Sequence, residues 1–317
     1  MLPLESVPNL SEGRDARVVR TLGEAFASRG ARLLDVHSDA DHNRSVFTLV
    51  GDDDALVDSL VSGVEAAVSA IDLTRHQGVH PRIGAADVVP VVPLGAGDEG
   101  RAVAAAHAVG RRLGDELELP VFLYGLVGEG LRPAFYRRGG LTELRRRMAV
   151  GELEPAYGPT EADERRGAVL VGARLPLVAF NVTLAHGDLE IAREIAASVR
   201  GASGGMPGVQ ALGLELADGT PQVSTNVIDL EVAPVHELVA RIRAEAEARG
   251  ARVHEGELVG LLPARVVLEA AFALGVADPA DGGGVPTAAA REAAASALAL
   301  PQLPADRVIE WHLQLVS

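Results

Sequence analysis

The segment His80-Pro81-Arg82-Ile83-Gly84-Ala85-Ala86-Asp87 brings together the residue types best suited to chemistry in this chain. A histidine titrates near neutral pH and can carry protons, and the proline that follows biases His80 toward extended backbone. Gly78 and Gly84 allow the chain to turn on either side. The spacing therefore predicts a loop that presents the His80 imidazole as a general acid–base group beside the Arg82 cation, rather than a histidine that only bonds backbone.

A second polar stretch runs from residue 35 to residue 44. If it is extended, its alternate side chains, Asp35, His37, Asp39 and Asp41, share one face. One interpretation is a pocket wall in which a carboxylate orients an imidazole, and another is a divalent-metal site. The spacing matches no zinc or calcium signature, so we expect the pocket wall, no metal, and a solvated loop as the simple alternative.

Two later regions could contact a ligand. Residues 152–167 have the composition of a surface linker, but their second half could also be a loop laid over a ligand, where Arg165, Arg166 or Arg174 meets a carboxylate in a bidentate pair. In the strand-like run of residues 178–184, Asn181 would need hydrogen-bond partners if buried. Asparagines that face a cleft suit an amide or pterin ligand.

Composition limits the function classes. The 317 residues contain no cysteine and no lysine, so thiolate nucleophiles, cysteine zinc sites and Schiff-base lysines are excluded. The formal net charge of −15 argues against a nucleic-acid partner. No apolar run has the length of a membrane span and the start has no signal-peptide pattern, so we expect a cytoplasmic protein without a membrane partner.

Helical and strand-like patterns alternate along the chain, which favours an α/β or α+β fold. We predict two α/β subdomains, residues 1–171 and 172–317, each a mixed β-sheet with helices packed on one face. The pattern places the last strand at residues 307–315 and its best linker at residues 152–167.

Taken in order, several motifs resemble those of a known family, the formiminotransferase domain of glutamate formimidoyltransferases and formiminotransferase-cyclodeaminases. The motifs cover nearly the whole chain, and their ordered series is more specific than any one of them. They are Val7-Pro8-Asn9-Leu10-Ser11-Glu12-Gly13, Leu34-Asp35-Val36, Asn43-Arg44-Ser45-Val46, the segment from His80 to Asp87, Gly172-Ala173-Arg174, Ala179-Phe180-Asn181-Val182, Gln222-Val223-Ser224-Thr225-Asn226 and Leu258-Val259-Gly260-Leu261.

The resemblance implies two ferredoxin-like α/β subdomains with a ligand cleft between them, and a homodimer. It implies transfer of the formimino group from N-formimino-L-glutamate to N5 of the co-substrate tetrahydrofolate, in histidine breakdown, with His80 as the catalytic residue. The implied folate-binding loop is Gly158, Pro159, Thr160, Glu161, Ala162, Asp163, Glu164, Arg165, Arg166 and Gly167. The substrate-binding candidates are Asp35, His37, Arg44, Arg82, Arg174 and Asn181.

One position departs from the family pattern, which has an aspartate two residues after Asp35, where this chain has His37. Three explanations remain: the second imidazole takes over the polar role, Asp35 or Asp39 does so, or the one-carbon donor differs. The alternative function is a divergent folate- or metal-binding relative that uses the face of Asp35, His37, Asp39 and Asp41, with a different donor or no catalysis.

Overall fold

The structure, a computed structural model, describes residues 2–78 and 81–314. The chain forms two compact units that divide after Leu175. The predicted boundary after residue 171 falls inside a strand, Val169–Ala173. None of the described helices is both long and apolar enough to pass through a bilayer.

The first unit is built on a seven-stranded mixed sheet. Its strands are β1 (Leu4–Ser6), β2 (Asn9–Leu10), β3 (Arg32–Asp39), β4 (Arg44–Gly51), β5 (Ala86–Pro93), β6 (Val121–Gly125) and β7 (Val169–Ala173). The short strands β1 and β2 lie end to end between β4 and β5, and β3 forms an edge beyond β4. Strand β7 pairs in parallel with both β5 and β6, while the other pairs are antiparallel.

Five α-helices among the described residues accompany this sheet. They are α1 (Ala16–Ala27), α2 (Asp53–Ala70), α3 (Glu99–Leu117), α4 (Pro133–Arg137) and α5 (Gly140–Ala149). The side chain of Asp15 starts α1 by accepting the N–H groups of Arg17 and Val18, which satisfies donors left without an intrahelical partner.

Helices cover the first sheet on both faces. Val121 and Val171 pack into a core with α1, α2 and α3, whereas Phe122 and Leu170 belong to a second core with Tyr136 of α4 and Leu144 of α5. Neighbouring residues of a strand point to opposite faces, so the two cores lie on opposite sides. The prediction of helices on one face is therefore wrong for this unit, because its central parallel strands are apolar on both sides.

The second unit has a four-stranded sheet in the order β11-β8-β10-β9. Its elements are β8 (Val178–Ala185), α6 (Leu189–Val199), β9 (Val209–Glu215), β10 (Pro221–Val227), α7 (Val235–Glu247), β11 (Arg252–Val259), α8 (Ala264–Ala273), α9 (Ala288–Ala297) and α10 (Ile309–Gln314). Every strand pair is antiparallel, so the prediction of a mixed sheet is wrong here. Apolar residues at alternate positions, such as Phe180 and Val182, share one core with the helices.

Two predictions of local structure are also wrong. The described part of the predicted last strand forms a short helix, α10, where the Glu310 carboxylate accepts the Ala264 N–H at 2.6 Å at the start of α8. Residues 152–167 are not a linker between units, because they lie before β7 in the first unit, where Leu153, Tyr157 and Ala162 pack against its two cores.

Candidate functional site

His80, the predicted catalytic residue, lies outside the described residues. The described residues nearest to it in the sequence are Gly78 and Pro81. They lie in a segment between the short 3₁₀ turn Leu73–Arg75 and β5, and the contacts of this segment locate the candidate site.

Arg82 attaches that segment to the turn of residues 40–43 between β3 and β4. Its guanidinium donates to the carbonyl oxygens of Asn43 at 3.0 Å and His42 at 2.9 Å. The Asn43 side chain in turn donates to the carbonyl oxygen of Gln77 at 2.9 Å. The chain is therefore held to the same turn before and after residues 79–80. Arg82, predicted to bind substrate, bonds backbone in the structure.

His76 completes this attachment. The Arg82 Nη1 lies 2.8 Å from its Nε2, and the same ring nitrogen lies 3.0 Å from the Asn43 carbonyl oxygen. Burial and then the positive charge of Arg82 lower the pKa of His76.

Asp87 is the buried centre of the site. The paired register of β2 and β5 shifts between Asn9 and Leu10, and such irregularities can re-aim a side chain. The fully buried carboxylate accepts the Ile83 N–H at 2.9 Å and the guanidiniums of Arg44 at 2.7 Å and Arg137 at 2.5 Å. Burial alone would raise the pKa of Asp87, but Arg137 and Arg44 hold it well below its usual range.

Arg44 is almost as buried and bridges two strands. Its Nε donates to the side-chain oxygen of Asn9 at 3.0 Å, while Nη1 bonds Asp87. Burial lowers the pKa of Arg44 to about 10, against the attraction of Asp87, so the guanidinium stays charged near pH 7. This predicted substrate-binding residue lies at the site with its charge partly balanced by a carboxylate.

The polar face of β3 is formed in part. Asp35, His37 and Asp39 occupy alternate positions paired with Thr48, Val46 and Arg44. Asp41 lies beyond the strand in the turn of residues 40–43, so its predicted place on this face is wrong. Among the described residues no set of three or more His, Asp or Glu side chains is arranged to hold a metal ion.

Asp39 instead organises the turn. Its carboxylate accepts the N–H groups of Asp41 and His42 and contacts the His42 Nδ1 at 2.8 Å. Burial alone would raise the pKa of Asp39, but the His42 ring and the two N–H donors lower it to about 2. A carboxylate thus orients an imidazole here, as the pocket-wall interpretation requires, although the imidazole is that of His42.

The loop of residues 158–167 lies directly against the segment that follows His80. Ala85 N–H donates to the Arg166 carbonyl oxygen and Ala168 N–H to that of Ile83, both at 2.9 Å. Gly167 has a φ of +74°, and a Cβ there would overlap the Ile83 carbonyl oxygen. The structure therefore brings together the loop and residues 83–85, which are about 80 positions apart in the sequence.

The last two predicted residues lie further along the chain. Arg174 follows β7, where burial raises the pKa of Tyr124 to about 12 and the guanidiniums of Arg174 and Arg137 oppose that rise. Asn181, on β8 of the second unit, is buried and donates to the Glu257 carboxylate at 2.9 Å. Asn181 thus has the hydrogen-bond partner that its burial requires.

Sequence reasoning missed three residues of this site, Arg137, His42 and His76. A signal existed for a partner of Asp87, since an acidic residue beside the apolar run of β5 must be paired if buried. Nothing in the sequence pointed to Arg137, which is 50 positions away. The roles of His42 and His76 depend on the turn geometry of residues 40–43, which the pattern did not predict.

Comparisons with known proteins agree with the motifs. The family profile described as the formiminotransferase domain, N-terminal subdomain, matches residues 3–174, and that of the formiminotransferase domain matches residues 179–274. The glutamate formimidoyltransferase of Streptococcus pyogenes is 38% identical over 84% of this chain and 91% of its own, and that of Thermoplasma acidophilum is 36% identical over 84% and 90%. The formimidoyltransferase-cyclodeaminase of Gallus gallus is 39% identical over 84% of this chain and 51% of its own. With both profiles matched in order and relatives aligned over nearly their full length, the chain belongs to the formiminotransferase domain family.

Proposed function

We propose that this chain is a glutamate formimidoyltransferase, which moves the formimino group of N-formimino-L-glutamate to N5 of tetrahydrofolate. The supporting observation is the junction between the loop of residues 158–167 and the segment that follows His80, with Ile83 and Ala85 bonded to the loop. The family resemblance assigns the folate to that loop and the proton transfer to that histidine. Relatives with the same activity in their names match 90% or more of their own length.

The reaction forms one C–N bond and breaks another. The N5 amine adds to the formimino carbon, and the bond from that carbon to the glutamate nitrogen breaks. One proton must leave N5 and one must reach the departing nitrogen. A single neutral imidazole can take the first and return it as the second, and His80 is the residue we assign to this role.

The remaining described residues position the reactants. Arg82, His76 and Asn43 hold both ends of the segment around residues 79–80 to one turn. The loop of residues 158–167 closes against the same segment. Holding two reactants in a reactive geometry can supply about 7–11 kcal/mol of the barrier.

The test is a transfer assay with N-formimino-L-glutamate and tetrahydrofolate, in which the product is measured as its methenyl derivative after acid treatment. We expect His80→Gln to lower kcat by roughly 10²–10⁴-fold while tetrahydrofolate still binds. His254→Gln, at an exposed position on β11 of the second unit, is the matched control. Wild-type protein without transfer activity would refute the proposed function. Near-normal turnover in His80→Gln would show that His80 does not carry the proton in the reaction.

We further infer a homodimer, because the family resemblance implies one. The chain mass is 32.9 kDa. Light scattering after size exclusion should therefore give twice that mass, and a mass of one chain at micromolar concentration would contradict the inference.

A further inference from the structure

The charges around Asp87 do not balance. Arg44 and Arg137 both bond its carboxylate, and Arg82 lies near enough for Asp87 and Arg137 to act on its charge. Among these described groups, three guanidiniums face one carboxylate, which leaves two positive charges in excess. The side chains of Arg44 and Arg137 are only 10% and 14% exposed, so water screens this excess poorly.

The three arginines differ in how their donors are used. Arg82 donates to two backbone carbonyl oxygens and contacts His76. Arg44 divides its donors between Asn9 and Asp87. Within the described part of the chain, Arg137 has one bond, from Nη2 to Asp87, and its buried Nε has no hydrogen-bond partner.

A buried charged donor without an acceptor is costly, and native structures seldom leave one unpaired. Since Arg137 has donors to spare in a region of excess positive charge, the group that fits it is an anion. A planar guanidinium matches a carboxylate in a bidentate pair better than other small anions except phosphate.

We propose that Arg137, supported by Arg44 and Asp87, forms a subsite for a glutamate carboxylate. The inference rests on the proposed function in one respect, since both substrates carry such a group: the formimino donor is a glutamate derivative, and the folate ends in glutamate. One oxygen of Asp87 bonds Nη2 of Arg137, and the other accepts the N–H of Ile83. The subsite is therefore tied to the backbone of Ile83, which is three residues after His80 in the sequence. Arg137 is a binding and positioning residue in this scheme.

Binding without turnover is the first measurement. Titration calorimetry of the full chain with L-glutamate should show binding that weakens by roughly 10- to 100-fold in Arg137→Met, the change expected for one charge-assisted hydrogen-bonded pair. Arg137→Lys, which keeps the charge but loses the planar fork and the Nε–H, should fall between the two. The matched control is Arg138→Met, the neighbouring arginine on the exposed side, which should bind as wild type.

Kinetics then distinguish the two sources of the carboxylate. If the donor occupies the subsite, Arg137→Met raises KM for N-formimino-L-glutamate by a similar factor and leaves KM for tetrahydrofolate unchanged. If the folate tail occupies it, KM for tetrahydrofolate rises instead, and tetrahydropteroate, which lacks the glutamate, loses nothing from the mutation. Either pattern supports a glutamate carboxylate at Arg137.

The opposite results are equally clear. Equal L-glutamate and tetrahydrofolate binding in wild type and in both Arg137 variants would overturn the subsite, as would a wild-type chain that binds neither. A lower melting temperature in Arg137→Met with unchanged affinities would show that Arg137 only supports the fold. A chain that binds L-glutamate through Arg137 yet transfers no formimino group would refute the proposed function and leave the subsite standing.

Discussion

At the scale of single residues, Asp87 is the carboxylate on which the buried charges depend. Removing one partner of a buried ion pair costs about 3–5 kcal/mol, because the remaining charge is left uncompensated. Asp87→Asn leaves Arg44 and Arg137 without a counter-charge, so its free energy of unfolding should fall by about that amount in urea titrations. Asp58→Asn is the matched control, since Asp58 pairs with Arg112 at the surface and should cost less than about 1 kcal/mol.

The same residue predicts a pH dependence. The pKa of Asp87 is lower in the folded chain than its usual value near 3.8, so the charged form adds stability above the unfolded pKa. That contribution is lost as the pH falls through the folded pKa. The stability gap between wild type and Asp87→Asn should therefore be constant from pH 7 to 5 and narrow steadily below about pH 4. A gap that stays constant down to pH 2 would mean that the Asp87 charge is not what stabilises the fold.

At the scale of elements, the loop of residues 158–167 depends on the glycine at its end. Gly167→Ala places a Cβ against the Ile83 carbonyl oxygen in a left-handed conformation. Gly219→Ala is the matched control, because Gly219 has a φ of +85° and open space around it. The control should cost about 1–2 kcal/mol from backbone strain alone. We expect Gly167→Ala to cost more and to raise KM for tetrahydrofolate, and equal stability and equal KM in the two variants would contradict the contact.

The elements also show what the sequence could and could not predict. Helix α1 combines an apolar stripe that includes Leu22 and Phe26 with the Asp15 cap, and both features are encoded by residues close together in the sequence. The helix α10 lies where the sequence pattern predicts a strand. Its Glu310 contacts the start of α8, and such a tertiary contact cannot be read from the local pattern. Residues 152–167 resemble a linker in composition. Their membership of the first unit follows from tertiary contacts, the packing of Tyr157 and Ala162 and the pairing of the loop with Ile83 and Ala85. In the candidate site, the motifs identify residues such as Arg44. Arg137 becomes a partner of Asp87 only when the chain folds, because the two residues are far apart in the sequence.

At the scale of the whole molecule, each unit contains its own sheet and its own apolar packing, with two cores in the first unit and one in the second. The second unit buries one face of an antiparallel sheet under helices, and sheets of this kind tolerate water on their other face. A domain with its own hydrophobic core can in principle fold alone. We therefore expect the separate fragment of residues 176–317 to be folded, with helix and strand signals in far-ultraviolet circular dichroism and one cooperative transition in urea.

Fragments divided at the boundary predicted from the sequence, after residue 171, provide the matched comparison. A fragment of residues 172–317 would carry the last two residues of β7, Gly172 and Ala173, while residues 1–171 would lack them. Because β7 lies between β5 and β6 in the first sheet, a fragment of residues 1–171 should be less stable than one of residues 1–175. Ala173 belongs to the core with α3, and its loss removes the pairing of β7 with Val91 and Gly125. Equal urea midpoints for these two N-terminal fragments would show that the end of β7 is dispensable, and that the first unit ends before Ala173.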